Sequence, residues 1–134
     1  MRNNFIKAIV IIFTLTVCLL SVTGCKPGPL MVTEKDNGKD ITLEAGRHLS
    51  IELPANPSTG YSWEVKATDA SILEQVGFPQ FVSENVNLVG AGGKLTLTFD
   101  TLKSGSTALE LVYHQPWETN VAPLQTFIIQ VTVK

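Results

Sequence analysis

Asn56-Pro57-Ser58-Thr59-Gly60-Tyr61-Ser62-Trp63 is the run from which the architecture of this chain can be read. Its first five residues are turn formers. Pro57 fixes its own φ and steers Asn56 away from the helical region, and Gly60 accepts a positive φ that other residues resist. Two aromatics follow, Tyr61 and Trp63, spaced two apart as on one face of a strand. Upstream, Leu49, Ile51 and Leu53 alternate with Ser50 and Glu52, the period of two of a half-buried strand. The run is therefore a corner between strands.

The same alternation recurs along the chain. A short strand is expected near Leu30 to Glu34, and Ile41 and Leu43 alternate with Thr42 and Glu44 before an Ala45-Gly46 turn. Tyr61 to Val65 reads as a strand, and Thr68 to Glu74 as the one place for a short helical turn. Ile72, Leu73, Val76, Phe78 and Phe81 are expected in the core on an irregular strand. Leu95, Leu97 and Phe99 define another strand, Leu109, Leu111 and Tyr113 the next, and Phe127, Ile129, Val131 and Val133 the last. About seven short strands separated by turn signals predict an all-β, immunoglobulin-like antiparallel β-sandwich. A dozen large apolar side chains, at ~1.5–3 kcal/mol each when fully buried, are enough to offset the ordering entropy of such a domain.

The N-terminus reads differently. Arg2 and Lys7 precede an uncharged apolar run from Ala8 to Leu20, thirteen residues long. That is short for a bilayer span and suited to a signal-peptide core. Val22-Thr23-Gly24-Cys25 follows and resembles a bacterial lipobox, which implies cleavage before Cys25 and lipid on its sulfur. The expected organisation is a lipoprotein signal peptide over 1–24, a lipidated tether over 25–29 and one domain over 30–134. The product is exported and held to a membrane through Cys25. Eight basic and twelve acidic side chains remain in that mature part, which is no footprint for nucleic acid. Cys18 leaves with the signal, so no disulfide is expected. His48 and His114 alone give zinc little support, and nothing calls for a cofactor. The expected state is a monomer.

Counting strands places three unusual loops together. The Asn56 corner joins the second strand to the third. Leu88-Val89-Gly90-Ala91-Gly92-Gly93 joins the fourth to the fifth, and a loop from His114 to Pro123 joins the sixth to the seventh. The chain reverses at each connection of a sandwich, so alternate loops emerge at one end. Ser58 and Thr59 bring hydroxyls, Gly90 to Gly93 bring bare backbone for strand-like pairing, and Trp117, stiffened by Pro116, brings an interface anchor.

With their order and spacing, Asn56-Pro57-Ser58-Thr59-Gly60-Tyr61, Gly90-Ala91-Gly92-Gly93 and Gln115-Pro116-Trp117 resemble the three motifs of the chagasin family, inhibitors of papain-like cysteine peptidases with an immunoglobulin-like fold. The resemblance spans the expected domain. It implies that the Asn56–Tyr61 corner enters the active-site groove with Ser58 toward the catalytic pair. Val89 and the glycines would lie on the non-primed side and Trp117 on the primed side. The third motif departs from the family, which usually carries Arg where this chain has Gln115, so a cation able to pair with acidic groups is missing. Two other classes remain open. A surface lipoprotein could use the same rim for another protein or a polysaccharide, with Trp63 and Trp117 as platforms. An enzyme would have to draw on Ser58, Thr59, His114, Glu64 and Glu118, which form no evident nucleophile–base–orienter set.

Overall fold

A computed structural model describes residues 28–134; the leader, Cys25 and the first residues of the tether lie outside the described residues. Eight strands form two four-stranded sheets. One sheet has β1 (Leu30–Thr33), β3 (His48–Ala55), β6 (Gly93–Thr101) and β5 (Leu73–Ser83) in that order. The other has β2 (Asp40–Leu43), β8 (Gln125–Val133), β7 (Gly105–His114) and β4 (Ser62–Ala67). The inner faces hold the alternating residues: Leu49, Ile51, Leu53, Leu97 and Phe99 from one sheet, Leu109, Leu111, Phe127, Ile129 and Val131 from the other, all essentially buried.

The eighth strand comes from splitting the first. After β1 a single 3-10 turn, Glu34–Asp36, carries the chain across to the other sheet, where it continues as β2. The turn is closed by Asp36 Oδ2, which accepts from the Thr33 N–H (2.9 Å) and hydroxyl (3.2 Å), while Lys39 Nζ reaches Asp36 Oδ1 at 2.8 Å. The Lys39 hydrogen bond, then that from the Thr33 backbone, hold the Asp36 carboxyl below its ordinary pKa. Because this segment crosses between sheets instead of reversing in a hairpin, β1 pairs parallel with β3 and β2 parallel with β8. The sandwich is thus antiparallel except at β1 and β2, one edge strand of each sheet.

The fourth expected strand also differs. Ile72 and Leu73 are core residues, and Asp69 O accepts from both of their N–H groups in a hydrogen-bonded turn; the helical turn expected over Thr68 to Glu74 is not there, and among the described residues helical turns lie at Glu34–Asp36 and Pro57–Thr59. Val76, Phe78 and Phe81, however, are exposed, Phe78 at 89 %. Val76 stands opposite Thr98, three residues on from buried Leu73 in unbroken register and so on the outer face; beyond it this edge strand bulges, since the next pair is Gln80 with Thr96, leaving Gly77-Phe78-Pro79 looped outward. The bulge breaks the alternation on which core placement rests, and Pro79 sits where an edge tolerates it.

Candidate functional site

The β3–β4 corner is a 3-10 turn, Pro57–Thr59, with Asn56 at its head and Gly60 (φ +81) at its tail. Pro at the first position of the turn has no N–H to leave unpaired. Asn56 is the hub. Its Oδ1 accepts from Ser58 N (3.2 Å) and Ser58 Oγ (2.6 Å), an Asx turn. Its carbonyl accepts from Thr59 N (3.1 Å) and Thr59 Oγ1 (2.6 Å). Its own N–H donates to the Tyr113 hydroxyl (2.9 Å) and its Nδ2 to Gly90 O (3.1 Å). One residue, through its backbone and its side chain, therefore fixes the corner to itself, to β7 and to the glycine loop.

The third loop is latched to the same corner. Gln115 Nε2 donates to Thr59 O at 3.1 Å, and the Glu118 N–H donates to Gln115 O at 3.0 Å, closing a turn around Pro116 and Trp117. The Trp117 ring lies against Gly60 so closely that a Cβ there would stand 2.2 Å from its Cη2. Gly60 is thus required twice, for its positive φ and for the indole above it. The rest of Trp117 is open, with 67 % of the residue exposed. Beneath the rim, Tyr61 and Trp63 flank Tyr113 at ring-centroid distances of 5.4 and 5.0 Å, and Trp63 Nε1 donates to Pro54 O at 2.9 Å.

The three segments singled out in the sequence therefore share one pole. Their individual roles differ in part from those expected. Ser58 and Thr59 lie at the surface, but both hydroxyls donate inward to Asn56, so what they offer outward is oxygen lone pairs. Val89 is fully exposed at the tip of its loop. Gly92 and Gly93 do not present open backbone: Gly92 O accepts the Glu84 N–H at 3.1 Å, and Gly93 is a strand residue paired with Ala55 on one side and Ser83 on the other. A Cβ on Gly93 would meet Val82 O at 2.1 Å, so that glycine serves sheet packing. The exposed part of the loop is Leu88 to Gly90.

Trp63 is buried, which removes one of the two platforms a polysaccharide surface would need. His114 Nε2 pairs with Glu64 Oε2 at 2.9 Å, while both corner hydroxyls are bonded to Asn56, so no nucleophile is joined to that pair. Among the described residues no group of three or more His, Cys, Asp or Glu side chains is placed to hold a metal. Asn56 as a hub, and the Tyr113 hydroxyl it rests on, escaped the sequence reading; the signal available was an Asn followed two residues later by Ser, the spacing of an Asx turn.

The profile described as Chagasin family peptidase inhibitor I42 matches residues 42–131. Amoebiasin-1 of Entamoeba histolytica is 32 % identical over 107 residues, which is 78 % of this chain and 100 % of that protein. Chagasin of Trypanosoma cruzi is 32 % identical over 92 residues, 64 % of this chain and 81 % of that protein. The crystal structure of a cysteine protease inhibitor from Entamoeba histolytica superposes with a TM-score of 0.72 at 25 % identity, covering 83 % of this chain and 100 % of that one. These are inhibitors and not enzymes, and with the profile covering most of the domain, the chain belongs to the chagasin family of cysteine peptidase inhibitors.

Proposed function

We propose that this protein is a reversible, tight-binding inhibitor of papain-like cysteine peptidases that plugs the active-site groove with its three loops. The observation that carries the reading is the cross-bonded pole: Asn56 to Gly90 O, Gln115 to Thr59 O, and Trp117 seated on Gly60. Loops already tied to one another lose little conformational freedom on binding. An interface of ordinary size, ~1,600 Å² in total, then suffices for high affinity.

The target's thiolate–imidazolium pair lies at the bottom of a groove that accepts extended peptides. The corner is a turn, and three of its carbonyls are engaged: Asn56 O by Thr59, Pro57 O by Gly60 N–H, Thr59 O by Gln115. It fills the groove without laying a scissile carbonyl before the sulfur. The outward lone pairs of Ser58 and Thr59 accept from the imidazolium and neighbouring N–H groups. Asn56, Pro57, Gly60 and Tyr61 hold the corner. Val89, Gly90 and Ala91 lie on the non-primed side, with Gly92 and Gly93 as the base of that loop. Gln115, Pro116 and Trp117 form the primed-side contact. Titrating papain and a cathepsin-like peptidase with the purified protein tests this: stoichiometric, reversible loss of activity is expected, and full activity at micromolar inhibitor rejects it.

The same proposal extends to delivery. Lipid on Cys25 would hold the domain, which begins at Leu30, at the face of a membrane exposed to exported peptidases. Phase partition in a cloud-point detergent checks this, since Cys25→Ala should move the protein from the detergent phase to water.

A further inference from the structure

The rim has an unusual charge character for a surface meant to close over an enzyme. The corner from Ala55 to Tyr61 carries no charge, the Glu84–Gly93 segment carries only Glu84, and the His114–Leu124 segment carries only Glu118 and the imidazole of His114. No Lys or Arg lies in any of the three. The basic groups nearest to them are occupied: Lys94 Nζ is bound to Glu52 Oε1 at 2.7 Å and Lys66 Nζ to Glu110 Oε1 at 3.0 Å. The hydrogen bond Lys94 donates to Glu52, then the charge of that carboxylate, raise the Lys94 pKa, with Glu84 and Glu34 adding to the effect. Lys35 lines the flanking cleft together with Glu34, Glu52 and Glu84, so that flank too is acid-rich. His114 faces Glu64.

At the place where the family usually has a cation, the Gln115 amide spends one N–H on Thr59 O and carries no charge to set against a partner's carboxylates. The turn it closes instead leaves two neighbours exposed, the Trp117 indole and the Glu118 carboxylate. Glu118 also lines a cleft of about 70 Å³ with Tyr61, His114, Val121 and Leu124. An exposed carboxylate on a rim whose three segments hold no Lys or Arg is complementary to a cationic side chain on the partner.

Building on the inhibitor reading, we propose that the third loop selects peptidases whose groove margin carries Lys or Arg, with Glu118 receiving that cation and Gln115 holding its turn in place. Charges at such a rim are partly solvated and act mainly on the rate of encounter, through a field screened over ~10 Å at ordinary salt.

Stopped-flow association with two papain-like peptidases tests this, one with Lys or Arg and one with Asp or Glu on the margin facing the loop. For the basic-margin enzyme the association rate should fall roughly tenfold from low to physiological salt. Glu118→Gln should remove most of that dependence. Glu118→Lys and Gln115→Arg should each slow the basic-margin enzyme and speed the acidic-margin one. Inhibition of both enzymes at equal, salt-independent rates, or faster capture of the acidic-margin enzyme, overturns the charge selection and leaves the inhibitor reading intact. Failure to inhibit either enzyme at any salt removes the inhibitor reading and this inference with it.

Discussion

The two poles of the sandwich solve one problem in opposite ways. At each pole the chain must leave one strand and enter another while its free carbonyls and N–H groups find partners. At the lower pole the partner is buried. Thr101, 3 % exposed, shares its hydroxyl between Glu44 O (3.0 Å) and Arg47 O (2.9 Å) and accepts the Arg47 N–H (3.0 Å). The turn is folded back onto the sheets. At the upper pole the hub, Asn56, is half-exposed and its bonds run between loops. The loops support one another in solvent and leave Val89 and Trp117 uncovered. Hydrogen bonding by one small polar side chain produces a sealed end in one place and a rigid projecting edge in the other.

That contrast is sharpest at Gly60. Gly60→Ala forces an L-residue into a left-handed conformation, a cost of about 1–2 kcal/mol, and drives a methyl group into the Trp117 ring. The indole must leave its seat, so inhibition should weaken by roughly 3 kcal/mol, about two orders of magnitude. Inhibition constants and thermal melts of the same variant check it. An unchanged constant would mean that the seating of Trp117 is irrelevant to binding.

Trp117→Ala removes the projecting group and leaves the corner intact. A largely exposed side chain contributes little to folding, so the melting temperature should hold, while affinity falls by about 2 kcal/mol, the loss typical of an aromatic hot spot. Thr101→Val is its mirror image at the other pole. Burying the Glu44 and Arg47 backbone groups without their hydroxyl should cost about 2 kcal/mol of stability, read by denaturant titration, with the inhibition constant unmoved. If Thr101→Val weakened inhibition while the protein remained folded, the two poles would be coupled and the division between them would fail.

The division was partly legible in the sequence. Alternation in Leu49–Leu53, Leu95–Phe99 and Phe127–Val133 follows directly from the pleat, and strand parity alone places alternate loops at one end. What alternation cannot register is a break in its own phase. The bulge at Gly77-Phe78-Pro79 carries Phe78 from expected core into surface, Val76 lies on the outer face opposite Thr98, and Phe81, opposite Leu95, is left part-uncovered at the sheet edge; none of these placements exists until β5 pairs with β6. Gly93 shows the same limit: next to Gly92 it reads as loose loop, yet its two strand partners are Ala55 and Ser83, far away in sequence. The Asn56 hub was visible only as a turn former, since the Tyr113 hydroxyl and the Gly90 carbonyl come from distant segments.

Ser58 separates the two uses of a hydroxyl most finely. Its O–H donates to Asn56 Oδ1 at 2.6 Å, and Gly90 O lies at 3.4 Å, so in the free protein it braces the corner. Ser58→Ala should therefore weaken inhibition by only about 1 kcal/mol, one hydrogen bond's worth. Ser58→Thr retains the hydroxyl and should recover most of it. If the role is bracing, the loss should appear as slower association and faster amide exchange at Thr59 and Gly60, whose N–H groups close the turn. If the hydroxyl instead acts on the enzyme's catalytic pair, exchange should be unchanged and the loss should appear in the dissociation rate. The two outcomes are distinguishable in one pair of proteins, and they decide whether the corner works by what it touches or by the shape in which it is held.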